Sequence, residues 1–264
     1  MLSTLLIIDA MNLIRRIYAI QEKQHTDIKK SLEMTTNTAC NALRKLVNIH
    51  HPTHVICVFD SHAPSWRHQI YPQYKQGRKP IPSQLKAHLE NIQDSFFDMG
   101  IESLVTETDE ADDLIATLAT KMEKNGQKSI IVSTDKGFYQ LLTKQTLIYD
   151  YFQNSYTDEG RVLNKMSLSV DKLTDFWAIT GISSSAIKGV EGVGEKGALA
   201  LLHQYNTLEA MLALEDDKKD KRLSKVLTSK KEALLSKNLA TLKTDIMLGF
   251  NLQDLRYTNI DNEK

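Results

Sequence analysis

Short apolar runs rich in branched residues recur through the first half of the chain: Leu5–Ile8, Val55–Phe59, Ser129–Ser133 and Thr146–Tyr149, with a weaker one at Ile101–Leu104. Their length and branching fit buried strands. Between them lie segments with helical spacing, Thr38–Ile49 and Gln84–Met99. The clearest helix runs from about 110 to 124, where Ala111, Leu114, Ile115, Leu118, Ala119 and Met122 form one apolar stripe. Asp109 is its expected N-cap and Gly126 its C′ residue. Strands alternating with helices predict an α/β fold with a parallel sheet covered on both faces.

Beyond about Tyr156 the pattern becomes helical and lacks convincing strands. Its one glycine-rich stretch, Gly189-Val-Glu-Gly-Val-Gly-Glu-Lys-Gly197, precedes an Ala/Leu helix through Leu202. We therefore expect an α/β domain over residues 1–165 and a helical region over 166–264. The Lys-rich run Glu215–Lys231 reads as a solvated helix face or loop.

Composition narrows the options. With 264 residues, 41% hydrophobic, the chain is long enough for one large core or a core plus a smaller satellite. Cys40 and Cys57 are too few for a disulfide framework and read as reduced thiols. Leu5–Ile8 is too short for a signal-peptide core or a membrane span, so a cytoplasmic protein is expected. No Walker A motif, zinc-spaced Cys/His set or nucleophile elbow is present.

Acidic residues show the sharper pattern. Asp9 directly follows the first predicted strand and Asp60 the second; Glu110, Asp112 and Asp113 open the clearest helix; Asp135 follows Ser129–Ser133. In an open α/β sheet the carboxyl ends of the strands share one edge, where ligands bind. Singly, each acid reads as a helix cap or turn residue. As a set they predict a rim of carboxylates, which would repel unless a cation sits among them. Hard oxygen ligands suit Mg²⁺ or Mn²⁺.

Charge balances overall, 33 Lys+Arg against 33 Asp+Glu, yet Trp66–Lys79 carries Arg67, His68, Lys75, Arg78 and Lys79 without an acid. Interleaved with Tyr71 and Tyr74, these fit phosphate contact and base stacking. The alternative is a solvated basic loop anchored to the core by the two tyrosines. The glycines between 189 and 197 fit either a helix N-terminal phosphate site or a plain helix–helix turn.

Taken in order, Leu6-Ile-Ile-Asp9, Val58-Phe-Asp60, Trp66-Arg67, Tyr74-Lys-Gln-Gly-Arg78, Glu110-Ala-Asp-Asp113, Ser133-Thr-Asp135-Lys and Gly189-Val-Glu-Gly-Val-Gly194 resemble the bacterial and phage 5′-nuclease (flap endonuclease) family. That family is related to the 5′-nuclease domain of DNA polymerase I. The resemblance spans about residues 4–205. It implies a parallel-sheet (PIN-like) catalytic domain and a helix–three-turn–helix element that grips duplex DNA.

By this resemblance Asp9, Asp60, Glu110, Asp112, Asp113 and Asp135 hold Mg²⁺ (or Mn²⁺), directly or through water. Lys75, Arg78 and Asp112 serve catalysis, and residues from Lys79 to about Met99 form an arch. Arg67, Lys75, Arg78, Gly192, Val193, Gly194, Glu195, Lys196 and Gly197 bind DNA. K⁺ is held by the main-chain carbonyls of Ile179, Thr180, Lys188, Val190 and Val193. The implied substrate is branched or flap DNA with a free 5′ end. Nothing in the sequence itself suggests an obligate oligomer or a membrane association, so a monomer is expected.

The chain also departs from the family. Gly137 stands where a second acid follows the one matching Asp135, and Gly181-Ile182-Ser-Ser-Ser185 replaces a Gly-Asp-x-x-Asp segment. Neutral side chains do not replace carboxylates for a hard cation, so the second metal position is expected to be depleted. The Gly181–Ser185 run resembles one bacterial subgroup of the family. The leading expectation is a Mg²⁺-dependent flap endonuclease. Its rivals are a structure-specific DNA-binding protein with weak or no turnover, and a metal-dependent RNase, which the glycine stretch disfavours.

Overall fold

The computed structural model of the chain describes residues 3–61, 63–106, 109–215 and 218–258. Contacts divide it into two compact units. The first comprises Met1–Ala63, Pro80–Asp158 and Lys243–Lys264; the second comprises Pro64–Lys79 and Glu159–Leu242. The linear boundary expected near 165 is thus crossed by two segments, the basic stretch before Lys79 and the chain after Lys243.

The first unit is built on a six-stranded sheet in the order β3-β2-β1-β4-β5-β6. The strands are β1 (Thr4–Asp9), β2 (His54–Phe59), β3 (Glu102–Val105), β4 (Lys128–Val132), β5 (Thr146–Asp150) and β6 (Ser155–Thr157). The first five run parallel; β6 returns antiparallel to β5 with Tyr149 opposite Tyr156. Leu5, Leu6, Ile7 and Ile8 of the central β1 are fully buried, as expected of a strand covered on both faces. Sequence reading places the five parallel strands within one or two residues but misses β6, three residues long and polar at two positions.

Among the described residues, the α-helices of this unit are α1 (Ala10–Gln24), α2 (Ile28–His50), α4 (Ser83–Ala87), α5 (Leu89–Phe97) and α6 (Ala111–Lys124). A further short helix of the N-terminal half, α3 (Trp66–Ile70), lies in the second unit. The helix expected over Gln84–Met99 is split at His88, whose ring Nε2 bonds Thr36 Oγ1 of α2 (3.0 Å). The arch implied by resemblance over 79–99 is not what these residues build. Leu85, Leu89, Ile92 and Phe96 enter the core beside Leu43, Leu46 and Phe59, because leaving four large apolar side chains in water would forfeit their transfer free energy.

The second unit is mainly helical: α7 (Glu159–Met166), α8 (Leu173–Thr180), α9 (Glu195–Tyr205), α10 (Leu208–Leu212), α11 (Lys221–Thr228) and α12 (Lys230–Ala240). It also contains a two-stranded ribbon, β7 (Gly181–Ile182) and β8 (Ile187–Lys188), too short to show in a sequence pattern. In the Lys-rich run Glu215–Lys231, residues 216 and 217 lie outside the described residues; the rest includes α11, which buries Leu223 and Val226. Cys40 and Cys57 are buried free thiols. No helix among the described residues is long and apolar enough to cross a membrane.

Candidate active site

Asp9 ends β1 and caps α1, its Oδ1 accepting the N–H of Asn12 (3.1 Å). Its Oδ2 accepts the Ser133 hydroxyl (2.7 Å), and Ser133 Oγ in turn accepts the N–H of Asp135 (3.1 Å). Thr134 donates from both its N–H (3.3 Å) and its hydroxyl (3.1 Å) to Asn12 Oδ1. The ends of β1 and β4 are thereby tied together directly beneath two acids. Asn12, Ser133 and Thr134 were not singled out as site residues by sequence reading, although Ser133 and Thr134 stand inside a quoted motif.

Asp60 follows β2, on the other side of β1, and its Oδ1 accepts the N–H of Ala111 (2.9 Å). That bond supplies the side-chain cap that α6 lacks from its own N-cap. The N-cap is Glu110, one residue later than the expected Asp109. The free N–H groups at a helix start carry partial positive charge, so a carboxylate from another strand is stabilised there. Glu110 is 5% exposed, Asp112 is half-buried, and Asp113 is wholly buried. Asp113 Oδ1 accepts the N–H of Lys243 (2.9 Å), which braces α6 against the chain returning after 242. Asp135 caps a 3₁₀ turn, Lys136–Leu141, through the N–H of Gly137 (2.7 Å).

Asp60, Asp9 and Asp135 stand at the carboxyl ends of β2, β1 and β4, close enough for Asp9 to feel the charge of the other two. The electrostatics register on Asp9, whose carboxyl is pushed up from 3.8 to about 7. Burial is the chief cause; the bonds from Ser133 and Asn12 pull it down in part, and Asp60 and Asp135 add like-charge repulsion. A cation among these groups would relieve that strain. Among the described residues no three His, Cys, Asp or Glu side chains close on one point. Both oxygens of Asp9 and one each of Asp60, Asp113 and Asp135 accept from protein donors, so a cation among them would be held largely through its own waters.

The basic segment is placed differently from expectation. Arg67, expected to touch DNA, is 1% exposed. Its guanidinium donates to the carbonyls of Leu239 (2.8 Å) and Thr241 (3.0 Å) and lies over the Trp66 ring (4.4 Å). The carbonyls at a helix C-terminus lack intrahelical partners, so Arg67 is a buried clamp on the end of α12 rather than a phosphate ligand. Tyr74 is also buried, beside Ile187 and Leu239, with Tyr71 and Ile182 packed against that cluster. The anchoring reading of the tyrosines is the correct one.

Lys75 has left-handed backbone (φ 56°), held by donation from its N–H to the Ser185 carbonyl (2.8 Å). Such a conformation is uncommon for a side chain with Cβ and needs external support. Arg78 and Lys79 are exposed. The Gly181–Ser185 segment, where acids are missing, thus has structural work: Ile182 supports Tyr74, and Ser185 fixes Lys75.

In the second unit the backbones of Gly181 (φ 74°) and Gly189 cross closely. A Cβ on Gly189 would stand 2.3 Å from the Ile179 carbonyl oxygen, and one on Gly181 would stand 2.5 Å from that of Ile187. The crossing gathers the carbonyls of Ile179, Thr180 and Lys188. The Ile179 carbonyl accepts Val190 N–H (2.7 Å), that of Lys188 accepts the Ser236 hydroxyl, and that of Val190 accepts Val193 N–H (3.1 Å). Each carbonyl has a second lone pair for a cation. Gly194 is the N-cap of α9, without a side-chain cap, and Glu195, Lys196 and Gly197 form its first turn. Gly197 faces Val193 and Arg222, and Val193 is buried, so its side chain is not available to a ligand. Lys225 of α11 donates to the Gly192 carbonyl (3.1 Å). Its place in a charge run read as solvated gave no signal of that.

Two family models match in succession: the 5′-3′ exonuclease, N-terminal resolvase-like domain over residues 4–167, and the 5′-3′ exonuclease, C-terminal SAM fold over 168–263. A relative from Psychromonas ingrahamii, "Flap endonuclease Xni", is 64% identical over 259 residues, covering 98% of this chain and 99% of its own. One from Colwellia psychrerythraea with the same name is 47% identical, covering 96% and 92%. Among solved structures, a T5 5′-exonuclease with bound divalent metal ions (zinc) is 18% identical, with TM-score 0.77 and coverage of 91% and 90%, a likeness of fold. With both models spanning nearly its whole length and a full-length relative at this identity, the chain belongs to the 5′-3′ exonuclease family.

Proposed function

We propose that the chain is a divalent-metal-dependent flap endonuclease that hydrolyses phosphodiester bonds near the 5′ end of branched DNA. The observation that carries this reading is Asp9, buried between Asp60 and Asp135 at the sheet's carboxyl edge, with its carboxyl held near 7. Burying a carboxylate between two others is unfavourable unless a cation compensates. The names of the close relatives support the substrate class.

In this reading Asp9, Asp60, Glu110, Asp112 and Asp135 hold Mg²⁺ or Mn²⁺ largely through its waters, and Asp113 keeps α6 in place. When bound, the ion lowers the pKa of a coordinated water and neutralises charge on the phosphate. Ser133 and Asn12 fix the two oxygens of Asp9, so the carboxylate is oriented before any ligand arrives. Lys75, with its constrained backbone, and the exposed Arg78 supply positive charge to the scissile phosphate. The N–H groups of Gly192, Gly194, Glu195, Lys196 and Gly197 contact the duplex backbone. K⁺ sits among the carbonyls of Ile179, Thr180, Lys188, Val190 and Val193. The buried reduced thiols Cys40 and Cys57 are consistent with action in the cytoplasm; the protein acts there as a monomer in this reading.

A second reading, structure-specific DNA binding with little turnover, is favoured by Gly137, Ile182 and Ser185 in place of acids. The two separate in one assay: purified protein with Mg²⁺ and K⁺ on an end-labelled 5′-flap duplex and on blunt duplex, alongside Asp112→Ala and Lys75→Ala. Cleavage confined to the flap and lost in both variants supports the nuclease. Tight flap binding without product at any Mg²⁺ concentration selects the second reading.

A further inference from the structure

We propose that the tip of the β5–β6 hairpin, with Arg16 of α1 and Lys45 of α2, is a stacking site for unpaired nucleotides of single-stranded DNA. The inference rests on the nuclease reading only for the source of that strand. Tyr151 and Phe152 occupy the turn, their rings edge to face at 5.4 Å. The Arg16 guanidinium lies 5.1 Å from the Phe152 ring centre, and the Lys45 ammonium 5.5 Å from that of Tyr151. Phe152 is 36% exposed, and Arg16 and Lys45 are both exposed.

The tip is also rigid by construction. Asp150 Oδ1 accepts the N–H groups of Phe152 (2.9 Å) and Gln153 (3.0 Å), and Tyr149 donates its hydroxyl to Asn154 Oδ1 (2.5 Å). Asp150, beside the tip in sequence, is thereby engaged within the turn. No Asp or Glu occurs from Ala10 to Gln21 or from Met34 to Phe59, so the helix segments that bring Arg16 and Lys45 to the tip carry no acid.

A pair of aromatic rings, Tyr151 seated against the core and Phe152 more open, each beside one cation, suits a stacked base with its phosphate alongside. Location argues for nucleic acid over an acidic peptide. The turn leaves the carboxyl end of β5, next to β4, whose own end carries Asp135. A strand threaded past the carboxylate rim reaches this corner along the same sheet edge.

The test is fluorescence anisotropy of a labelled oligothymidylate at low salt, with wild-type protein, Phe152→Ala and Arg16→Ala, together with cleavage of flaps bearing one or many unpaired nucleotides. Circular dichroism checks that the variants fold. We expect each variant to weaken oligothymidylate binding about fivefold or more. Cleavage of long flaps should become less efficient through KM, with the shortest flap unaffected. An acidic peptide, such as oligoglutamate, should fail to compete. Unchanged oligothymidylate affinity in both variants, with flap cleavage intact, overturns the stacking site and leaves the nuclease reading standing. Variant-sensitive oligothymidylate binding without any flap cleavage supports the stacking site while overturning the nuclease reading. Displacement of the oligonucleotide by oligoglutamate at equal charge overturns the assignment in favour of a protein partner.

Discussion

Asp9 and Arg67 are both buried charged residues, and their surroundings give them opposite roles. Asp9 is met by neutral donors and two further acids, so its folded-state pKa is raised from 3.8 to about 7. Its contribution to stability is therefore present below pH 3.8 and is lost as pH rises through about 7. For metal-free protein this predicts that Asp9→Asn raises Tm by several degrees at pH 8 and has little effect at pH 4, read by thermal denaturation in chelator. The same proton competes with a cation, so Mg²⁺ affinity measured by calorimetry should rise between pH 6 and pH 8 in the wild type and lose that dependence in the variant. Arg67 instead meets two carbonyls and an aromatic face. Arg67→Ala should cost about 3 kcal/mol in urea denaturation, and Arg67→Lys should recover little, because an ammonium lacks the planar fork. DNA affinity of the folded fraction should be unchanged.

Among the elements, the glycine crossing is the most constrained. A Cβ at Gly189 would overlap the Ile179 carbonyl oxygen and the Thr180 carbonyl carbon, both backbone and unable to swing away. Gly189→Ala should destabilise the helical unit by about 2 kcal/mol or more and abolish any K⁺ stimulation of duplex binding, measured by anisotropy in KCl against a large-cation salt. Gly194, with open space where its Cβ would stand, should accept alanine without loss of fold. The contrast separates the glycines that build the turn from one that only starts a helix. Sequence spacing cannot make this distinction, since all of them read alike. It does find β1 to β5 and α6, because burial on both faces and a long amphipathic stripe leave a periodic record. The ribbon β7–β8, two residues per strand, leaves none.

Over the whole chain, the acids were legible and their supports were not. Asp9, Asp60, Glu110 and Asp135 could be placed at one edge from strand order alone, since each follows a strand or opens a helix. The role of Asp113 depends on Lys243, 130 residues away, and that of Arg67 on Leu239, 172 residues away. Pairings of that span are settled by tertiary packing, so a basic residue between aromatics reads equally as DNA ligand or helix clamp. The assignment of Pro64–Lys79 to the helical unit follows from the burial of Tyr74 with Ile187 and Leu239, again invisible locally. The departures at Gly137, Ile182 and Ser185 could be seen in sequence. Only the structure shows two of them holding Tyr74 and Lys75.

The most direct measurement is single-turnover cleavage of an end-labelled 5′-flap duplex across a Mg²⁺ titration, comparing wild-type protein with Asp60→Asn. Product is expected only with Mg²⁺, mapping near the junction. Asp60→Asn should lower the rate at least about a hundredfold, in keeping with the loss of several kcal/mol of charge stabilisation. Mg²⁺-independent cleavage, or an Asp60→Asn rate equal to that of the wild type, would contradict metal-dependent cleavage at this site.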